Sequence, residues 1–288
     1  MVKRLITAIC LLTVVLGAIF GLRIFNLVFA DMVAVLFGSV GIYELYNALK
    51  KARLNPMALP LIISAVIAYP CVYFLGVGGI MIALSVAVMT ALSEFMFKSG
   101  YTLSDLMTTV FIAVYPLAMF YLFVPINHEY GNLLGILLVL AVPILTDTMA
   151  YFTGSLLKGP KLCPNISPKK TISGAIGGLI GGMMGGVIVF LLFDYGNVFA
   201  SFGNVGRTAL IAGNLYGSLG VYLAVGLVGG LLSEIGDLAA SWIKRKAEIK
   251  DFGKIFPGHG GFMDRIDSIL FMLPLVYALF AILGACGA

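Results

Sequence analysis

The feature that most constrains the fold is a succession of long apolar stretches that runs through almost the whole chain. A helix needs about 20 mostly apolar residues to cross a bilayer. Nine candidate stretches occur, at residues 5–20, 27–49, 58–76, 78–97, 103–125, 131–157, 172–193, 208–243 and 266–287. Hydrophobic residues make up 61% of the chain, whereas soluble domains contain about 45–50%. The sequence therefore predicts an all-α integral membrane protein with about nine transmembrane helices.

Two of these stretches need comment. Lys3 and Arg4 precede the first one, as in a signal peptide, but no small-residue cleavage pattern follows before Arg23, so a retained helix is expected. The stretch 208–243 is too long for one straight crossing at about 1.5 Å per residue. A kink near Gly220 and an extension into the cytosol both remain open.

The basic residues predict the orientation, because cytoplasmic loops retain Lys and Arg. With the N-terminus inside and the C-terminus outside, only Arg23 and Arg207 face outward. The others are all cytoplasmic: Lys3, Arg4, Lys50, Lys51, Arg53, Lys98, Lys158, Lys161, Lys169, Lys170, Lys244, Arg245, Lys246, Lys250, Lys254 and Arg265. We therefore expect a multi-pass protein of the cell membrane. Residues 1–130 would form N-terminal transmembrane helices, and residues 131–288 a catalytic transmembrane region with cytoplasmic loops 158–171 and 244–265.

The cysteines and the net charge exclude some classes of protein. Cys10, Cys71, Cys163 and Cys286 show no paired spacing, so neither a disulfide framework nor a zinc site is indicated. The formal charge of +5 comes from short loops between spans. It favours a membrane topology and an anionic partner over nucleic acid.

Acidic residues concentrate toward the predicted inner ends of the spans. A carboxylate at the bilayer centre costs about 2.5–3.5 kcal/mol on insertion scales, so a group of them requires cations, water or a cavity. The group consists of Glu44, Glu94, Asp147, Glu234, Asp237, Asp264 and Asp267. A shared site at the inner membrane face is therefore expected.

The loop 158–171 carries features suited to phosphate. Pro168 should prevent helix formation there. Lys169 and Lys170 then lie just ahead of the next predicted helix, whose N-terminal amides also attract anions.

The second polar segment begins inside an apolar helix and suits a divalent cation. Spacing by four places Ser233, Asp237 and Ser241 on one helix face. After a Gly-rich turn a new helix is predicted, and its first turn carries Asp264 and Asp267. Mg²⁺ takes oxygen ligands, usually one or two carboxylates plus substrate phosphates, and two such ions can assist an in-line phosphoryl displacement.

The segment from Ser241 to Asp267, here called the signature segment, resembles the characteristic motif of CTP:phosphatidate cytidylyltransferases, also known as CDP-diacylglycerol synthases. The positions that carry the resemblance are Ser241, Lys244, Arg245, Lys250, Asp251, Pro257, His259, Gly260, Gly261, Asp264, Arg265 and Asp267. It extends upstream to Gly236-Asp237, to Asp147 with Ala150 and Tyr151, and to Ser167-Pro168 with Lys170 and Thr171. Met149, Ser155 and Ser173 depart from the pattern.

The resemblance implies that the phosphate of phosphatidic acid attacks the α-phosphorus of CTP and releases pyrophosphate. It implies that Asp237, Asp264 and Asp267 bind Mg²⁺ and a second cation, and that Lys244 and Arg265 act with them in catalysis. It also implies a set of substrate-binding residues: Asp147, Tyr151, Ser167, Lys170, Thr171, Ser241, Arg245, Lys250, Asp251, His259, Gly260 and Gly261. The partners would be CTP, phosphatidic acid and the bilayer, without nucleic acid, and the many small residues allow a homodimer.

Several interpretations stay open. The glycines of residues 174–186 favour close helix packing over a phosphate loop. Glu44 and Glu94 could line the substrate cavity, or they could only snorkel or form salt pairs near helix ends, so neither is assigned to the site. A secondary transporter would also have many spans and intramembrane acids. A CTP-dependent kinase of a membrane polyprenol would share the nucleotide and metal but transfer the γ-phosphoryl group.

Overall fold

The computed structural model describes residues 17, 26–130, 132–196, 198, 213–253, 255 and 260–285. Its helices are α1 (Leu27–Lys51), α2 (Ala58–Leu75), α3 (Val77–Phe97), α4 (Leu103–Ile112), α5 (Asn132–Leu157), α6 (Ile172–Phe190), α7 (Leu215–Lys246) and α8 (Met263–Ala285). A two-stranded antiparallel hairpin, β1 (Lys161–Cys163) and β2 (Ser167–Thr171), joins α5 to α6.

Within these described ranges, eight helical segments are long and apolar enough to cross a membrane. They agree with eight of the nine predicted stretches to within a few residues, apart from the start of α7. The remaining predicted stretch, residues 5–20, lies outside the described residues, so the count of nine stays a prediction. The protein is thus mostly helical with many membrane-length apolar helices.

The fourth of these segments is interrupted. After α4 the chain forms a π-helical stretch, Ala113–Ala118, which contains Pro116 and a non-helical Tyr115 at φ −123° and ψ 108°. Short helices at Met119–Tyr121 and Phe123–Pro125 and a π-helical stretch at Ile126–Tyr130 follow. Pro116 lacks an N–H group and disfavours helical conformation in the residue before it, which accounts for the break.

Helix α7 answers the question raised by the long apolar stretch 208–243. It is a single helix of 32 residues, which corresponds to about 48 Å, whereas the hydrocarbon core of a bilayer is about 30 Å thick. Its last turn carries Lys244, Arg245 and Lys246. Of the two alternatives, a kink near Gly220 and an extension beyond the hydrocarbon core, the length of this single helix and its basic last turn favour the extension.

The chain divides into two compact units. The first consists of Met1–Pro125 with Ile243–Ile266, and the second of Ile126–Trp242 with Asp267–Ala288. In the first unit, α2 and α3 form an antiparallel pair that approaches so closely at Gly79 that a side chain there would collide with the backbone of Cys71 and Val72. At the start of α4, the buried Asp105 forms a capping box with Thr102. Its carboxylate also accepts a hydrogen bond from the N–H of Asn55 at 2.6 Å.

In the second unit, α6 packs against both α5 and α7 through glycine. Gly174, Gly177, Gly178, Gly181, Gly182, Gly185 and Gly186 are all buried. A Cβ atom at Gly181 would meet the carbonyl of Leu145 on α5, and one at Gly186 would meet the carbonyl of Tyr222 on α7. The prediction of close helix packing is confirmed.

Candidate active site

A cavity of about 350 Å³, here called the polar cavity after its charged lining residues, lies in the second unit between the end of α5, the β-hairpin, the start of α6 and the C-terminal half of α7. Its lining consists of Asp147, Ala150, Tyr151, Gly154, Ser155, Leu162, Lys169, Lys170, Thr171, Gly174, Ala175, Glu234 and Asp237. Binding cavities for small molecules commonly measure about 300–1,000 Å³. Five residues of the predicted site meet here: Asp147, Tyr151, Lys170, Thr171 and Asp237.

Two of the charged groups of this polar cavity form an ion pair. Lys170 Nζ lies 2.7 Å from Asp237 Oδ2, and both side chains are partly exposed. The hairpin brings Lys170 there, because Pro168 lies in β2 and helix α6 begins only at Ile172. The prediction that Lys169 and Lys170 lie just ahead of a helix is confirmed.

The start of α6 is capped from within the site. Thr171 is the N-cap residue, and its Oγ1 accepts the N–H of Gly174 at 3.1 Å. Gly154 lies close to both Gly174 and Thr171. A Cβ atom at Gly154 would be only 2.9 Å from Thr171 Oγ1. Thr171 therefore shapes the wall of the polar cavity by ending the strand and starting the helix.

The second unit also contains the third carboxylate that the sequence predicts for the metal. Asp267 is buried in α8, and its Oδ1 accepts the N–H of Ser268 at 2.9 Å. Ser268 Oγ lies 3.5 Å from Asp147 Oδ2. Asp267 is approached from α7 by Gly236, where a side chain would collide with the carbonyl oxygen of Asp267.

In the first unit, Asp264 organises the loop of the signature segment, here called the signature loop and comprising residues 247–262. Asp264 Oδ2 accepts the N–H groups of Phe252 and Gly261, each at 2.9 Å. Its Oδ1 lies 2.7 Å from Lys244 Nζ, which also lies 5.3 Å from the centre of the Phe252 ring. Asp264 therefore closes the signature loop through both of its carboxylate oxygens.

Glycine is required at one position of this loop. Gly260 has a φ of +83°, in the left-handed region that favours glycine. A Cβ atom there would also lie 2.9 Å from Asp264 Oδ2 and 3.3 Å from Asp251 Oδ1. The predicted flexible turn is thus a tightly packed turn at its end, and His259 lies outside the described residues.

The other predicted site residues are more exposed. Ser167 begins β2 and does not line the polar cavity, and Ser241 lies half-buried on α7. Arg245, Lys250, Asp251 and Arg265 have exposed side chains. The structure therefore gathers the upstream residues around the polar cavity and ties Lys244, Gly261 and Asp264 together in the signature loop.

Sequence reasoning left two residues outside the site. Glu234 lines the polar cavity, and its position three residues before Asp237 on α7 was a usable signal. Glu44 contacts the signature loop and Met263 from α1, and nothing in its local sequence indicates these contacts. Glu94 instead accepts hydrogen bonds from Lys98 and Tyr101, which agrees with the salt-pair alternative.

Within the part of the chain that the structure describes, no group of three or more His, Cys, Asp or Glu side chains forms a metal-binding cluster. Mg²⁺ requires only one or two protein carboxylates when substrate phosphates supply the remaining ligands. Asp147, Glu234 and Asp237 line the polar cavity, so carboxylate oxygens of the kind that Mg²⁺ prefers are present there. The three-aspartate metal site stays a prediction.

Comparison with known proteins identifies the family. Residues 2–283 match the sequence model of the cytidylyltransferase family. The chain belongs to this family. A similar cytidylyltransferase is the phosphatidate cytidylyltransferase of Bacillus subtilis (strain 168), 30% identical over 255 residues, which cover 85% of this chain and 86% of the relative.

Other cytidylyltransferases match over a shorter region. The phosphatidate cytidylyltransferase of Brucella abortus biovar 1 (strain 9-941) is 40% identical over 147 residues, or 51% of this chain and 47% of the relative. That of Rickettsia prowazekii (strain Madrid E) is 34% identical over 155 residues, or 54% of this chain and 61% of the relative. The resemblance drawn from the signature segment is thereby confirmed.

Proposed function

We propose that this chain is a phosphatidate cytidylyltransferase, which condenses CTP with phosphatidic acid to give CDP-diacylglycerol and pyrophosphate. The observation that carries the proposal is the ion pair of Lys170 and Asp237 on the polar cavity. It combines a cation for a phosphate with a carboxylate for a metal ion, in a member of the cytidylyltransferase family.

The reaction joins two anions, so the site must neutralise charge. A phosphate oxygen of phosphatidic acid forms a bond to the α-phosphorus of CTP, and the bond from that phosphorus to the α–β bridging oxygen breaks. The electron pair leaves with pyrophosphate. Lys169 and Lys170 can neutralise the triphosphate on the polar cavity, while Lys244 and Arg265 are the cations we assign to the signature segment.

Asp237, Asp264 and Asp267 are the ligands that we propose for Mg²⁺ and a second cation, on the strength of the sequence. When bound, such ions neutralise phosphate charge and orient the attacking and leaving oxygens. Asp264 holds the amides of Phe252 and Gly261 at the same time, which fixes the direction of its carboxylate.

We further propose that the enzyme is a multi-pass protein of the cell membrane with its active site at the cytoplasmic face. A lipid phosphate lies at the membrane surface and CTP is soluble, so the two can meet only at that surface. The lysines of the hairpin support the cytoplasmic side by the rule that basic loops stay inside. A homodimer is part of this proposal because small residues promote helix association in membranes.

The test is product analysis with two labels. Purified protein in detergent receives phosphatidic acid, Mg²⁺ and CTP labelled at either the α- or the γ-phosphorus. We expect the α-label in the lipid phase and the γ-label in soluble pyrophosphate, with the activity lost in Asp264→Asn. Glu248→Gln is the matched control, because Glu248 is an exposed carboxylate within the signature segment that is not among the proposed site residues. A γ-label in the lipid would identify a kinase instead and overturn the proposal.

A further inference from the structure

A buried carboxylate from the first described helix reaches the signature segment. Glu44 lies on α1 and is only 4% exposed. Its Oε2 accepts the N–H of Met263, the first residue of α8, at 2.8 Å across 219 residues of sequence. We infer that Glu44 is a positioning residue of the active site, which holds the signature loop and the first turn of α8 by their backbone. This inference rests on the proposed function.

The backbone contact suits a carboxylate for a physical reason. The first N–H groups of a helix have no partner within the helix, and the positive end of the helix dipole attracts negative charge. The N–H of Met263 meets this requirement through Glu44, which acts as a cap supplied by another helix. The capped turn carries Asp264 and Arg265, two residues of the proposed catalytic group.

Two glycines of the signature segment make room for this carboxylate. A Cβ atom at either Gly253 or Gly261 would collide with the carboxylate group of Glu44. The loop backbone therefore approaches Glu44 from two separate points of the sequence. Gly253 adopts no left-handed φ, so the space taken by Glu44 is the reason that a side chain does not fit there.

The same face of α1 supports the signature loop through apolar contacts. Phe37 stacks on Phe262 with ring centres 4.9 Å apart. A Cβ atom at Gly41 would lie 3.5 Å from Ile266 and 3.7 Å from Phe262. Phe37, Gly41 and Glu44 are spaced by four and three residues, so they lie on one helix face. This face of α1 therefore supports the signature loop through apolar contacts and, at Glu44, through a carboxylate group.

Glu44 and Asp264 hold the same piece of backbone from two sides. The N–H of Gly261 donates to Asp264 Oδ2, while the Cα of Gly261 faces the carboxylate of Glu44. If the signature loop moves at Glu44, the backbone that Asp264 holds therefore moves with it. A misplacement of about 1 Å in a catalytic group can cost about 10²-fold in rate.

The first experiment compares Glu44→Ala and Glu44→Gln with the wild-type protein. Loss of the acceptor in Glu44→Ala should lower kcat by about tenfold or more, and raise the Mg²⁺ concentration for half-maximal rate, while KM for CTP changes little. Amide hydrogen exchange in residues 260–266 should become faster. Glu44→Gln keeps a carbonyl acceptor and should restore most of kcat.

The matched control is Glu94→Ala, because Glu94 is a largely buried carboxylate in the same unit whose described hydrogen-bond partners are Lys98 and Tyr101. It should change neither kcat nor the Mg²⁺ dependence. If folded Glu44→Ala resembles Glu94→Ala in these measurements, the inference is overturned. If the wild-type protein itself makes no CDP-diacylglycerol, the proposed function fails, and the exchange measurement alone then decides whether Glu44 holds the loop.

A second experiment keeps a carboxylate at position 44, so it remains informative if Glu44→Ala does not fold. Gly253→Ala should reduce activity by pushing against Glu44, and Glu44→Asp shortens the side chain by one methylene. The double variant should recover activity beyond the product of the two single effects, since the residues are in contact. Effects that simply multiply would overturn the inference.

Discussion

At the scale of single residues, the proposed chemistry depends on two lysine–aspartate pairs. Lys170 pairs with Asp237, and Lys244 pairs with Asp264, each with 2.7 Å between nitrogen and oxygen. A partly buried carboxylate is costly unless it is paired or hydrogen-bonded. The two lysines meet that need for the aspartates and at the same time concentrate positive charge where phosphates are expected.

Replacement of Lys170 by alanine should weaken CTP binding. A hydrogen bond to a charged group contributes about 1.5–3 kcal/mol, which corresponds to about a 10- to 100-fold loss in kcat/KM for CTP. The measurement is the initial rate at varied CTP and fixed phosphatidic acid. Lys161→Ala is the control, because Lys161 is an exposed lysine of the same hairpin that does not line the polar cavity. Equal losses in both variants would argue against a specific role of Lys170.

At the scale of elements, the site depends on how closely α6 approaches its neighbours. Gly181, Gly185 and Gly186 of α6 lie against backbone atoms of α5 and α7, and a backbone atom cannot move aside as a side chain can. In lipid, helices associate largely through such close packing rather than through the hydrophobic effect. The polar cavity lies at the end of this glycine contact, so its shape follows from the packing.

Gly186→Ala should therefore destabilise the protein, because the new methyl group would collide with the carbonyl of Tyr222. Overpacking of this kind costs about 1–3 kcal/mol. Gly220→Ala is the control on α7: a Cβ atom there meets nothing within 4 Å, and alanine favours the helix. Thermal unfolding in detergent should show a lower Tm for the first variant and an unchanged or higher Tm for the second. The reverse order would contradict the packing explanation.

The elements also show which parts of the fold a sequence can predict. Apolar runs predicted the spans well, because membrane crossing imposes a length and a composition on each helix separately. Hydropathy did not predict the π-helical break at Tyr115, which depends on local backbone geometry. The hairpin of β1 and β2 was expected only as a loop, since its strands are too short to show an alternating pattern.

The residues of the candidate site also differ in whether the sequence alone can predict them. Asp237, Lys170 and Asp264 could be proposed from the sequence, because their motifs are local and carry unusual charge in an apolar chain. Glu44 could not be assigned, because its role depends on a contact to Met263 that is 219 residues away. Contacts of that kind follow from tertiary packing, and no spacing rule within one helix reveals them.

At the scale of the whole molecule, the distribution of charge predicts which side of the membrane carries the site. Nearly all Lys and Arg residues lie in loops on one predicted side, and Cys163 lies in β1 on that side. Tyr195 is 68% exposed and lies at the far end of the span Ile172–Tyr195. That span has 24 residues, or about 36 Å of helix, enough to put its two ends on opposite sides.

Two single-cysteine variants test this topology. One keeps only Cys163, and the other carries only Tyr195→Cys, in a background without other cysteines. A membrane-impermeant maleimide should label Cys163 in inside-out vesicles but not in intact spheroplasts, and should label the Tyr195→Cys variant only in spheroplasts. If the two labelling patterns were exchanged, the orientation would be opposite to the predicted one. The hairpin lysines would then face away from cytoplasmic CTP, which is incompatible with the proposed reaction. Labelling of both sites from one side would show that α6 does not cross the bilayer, and would remove the physical basis for counting it as a span.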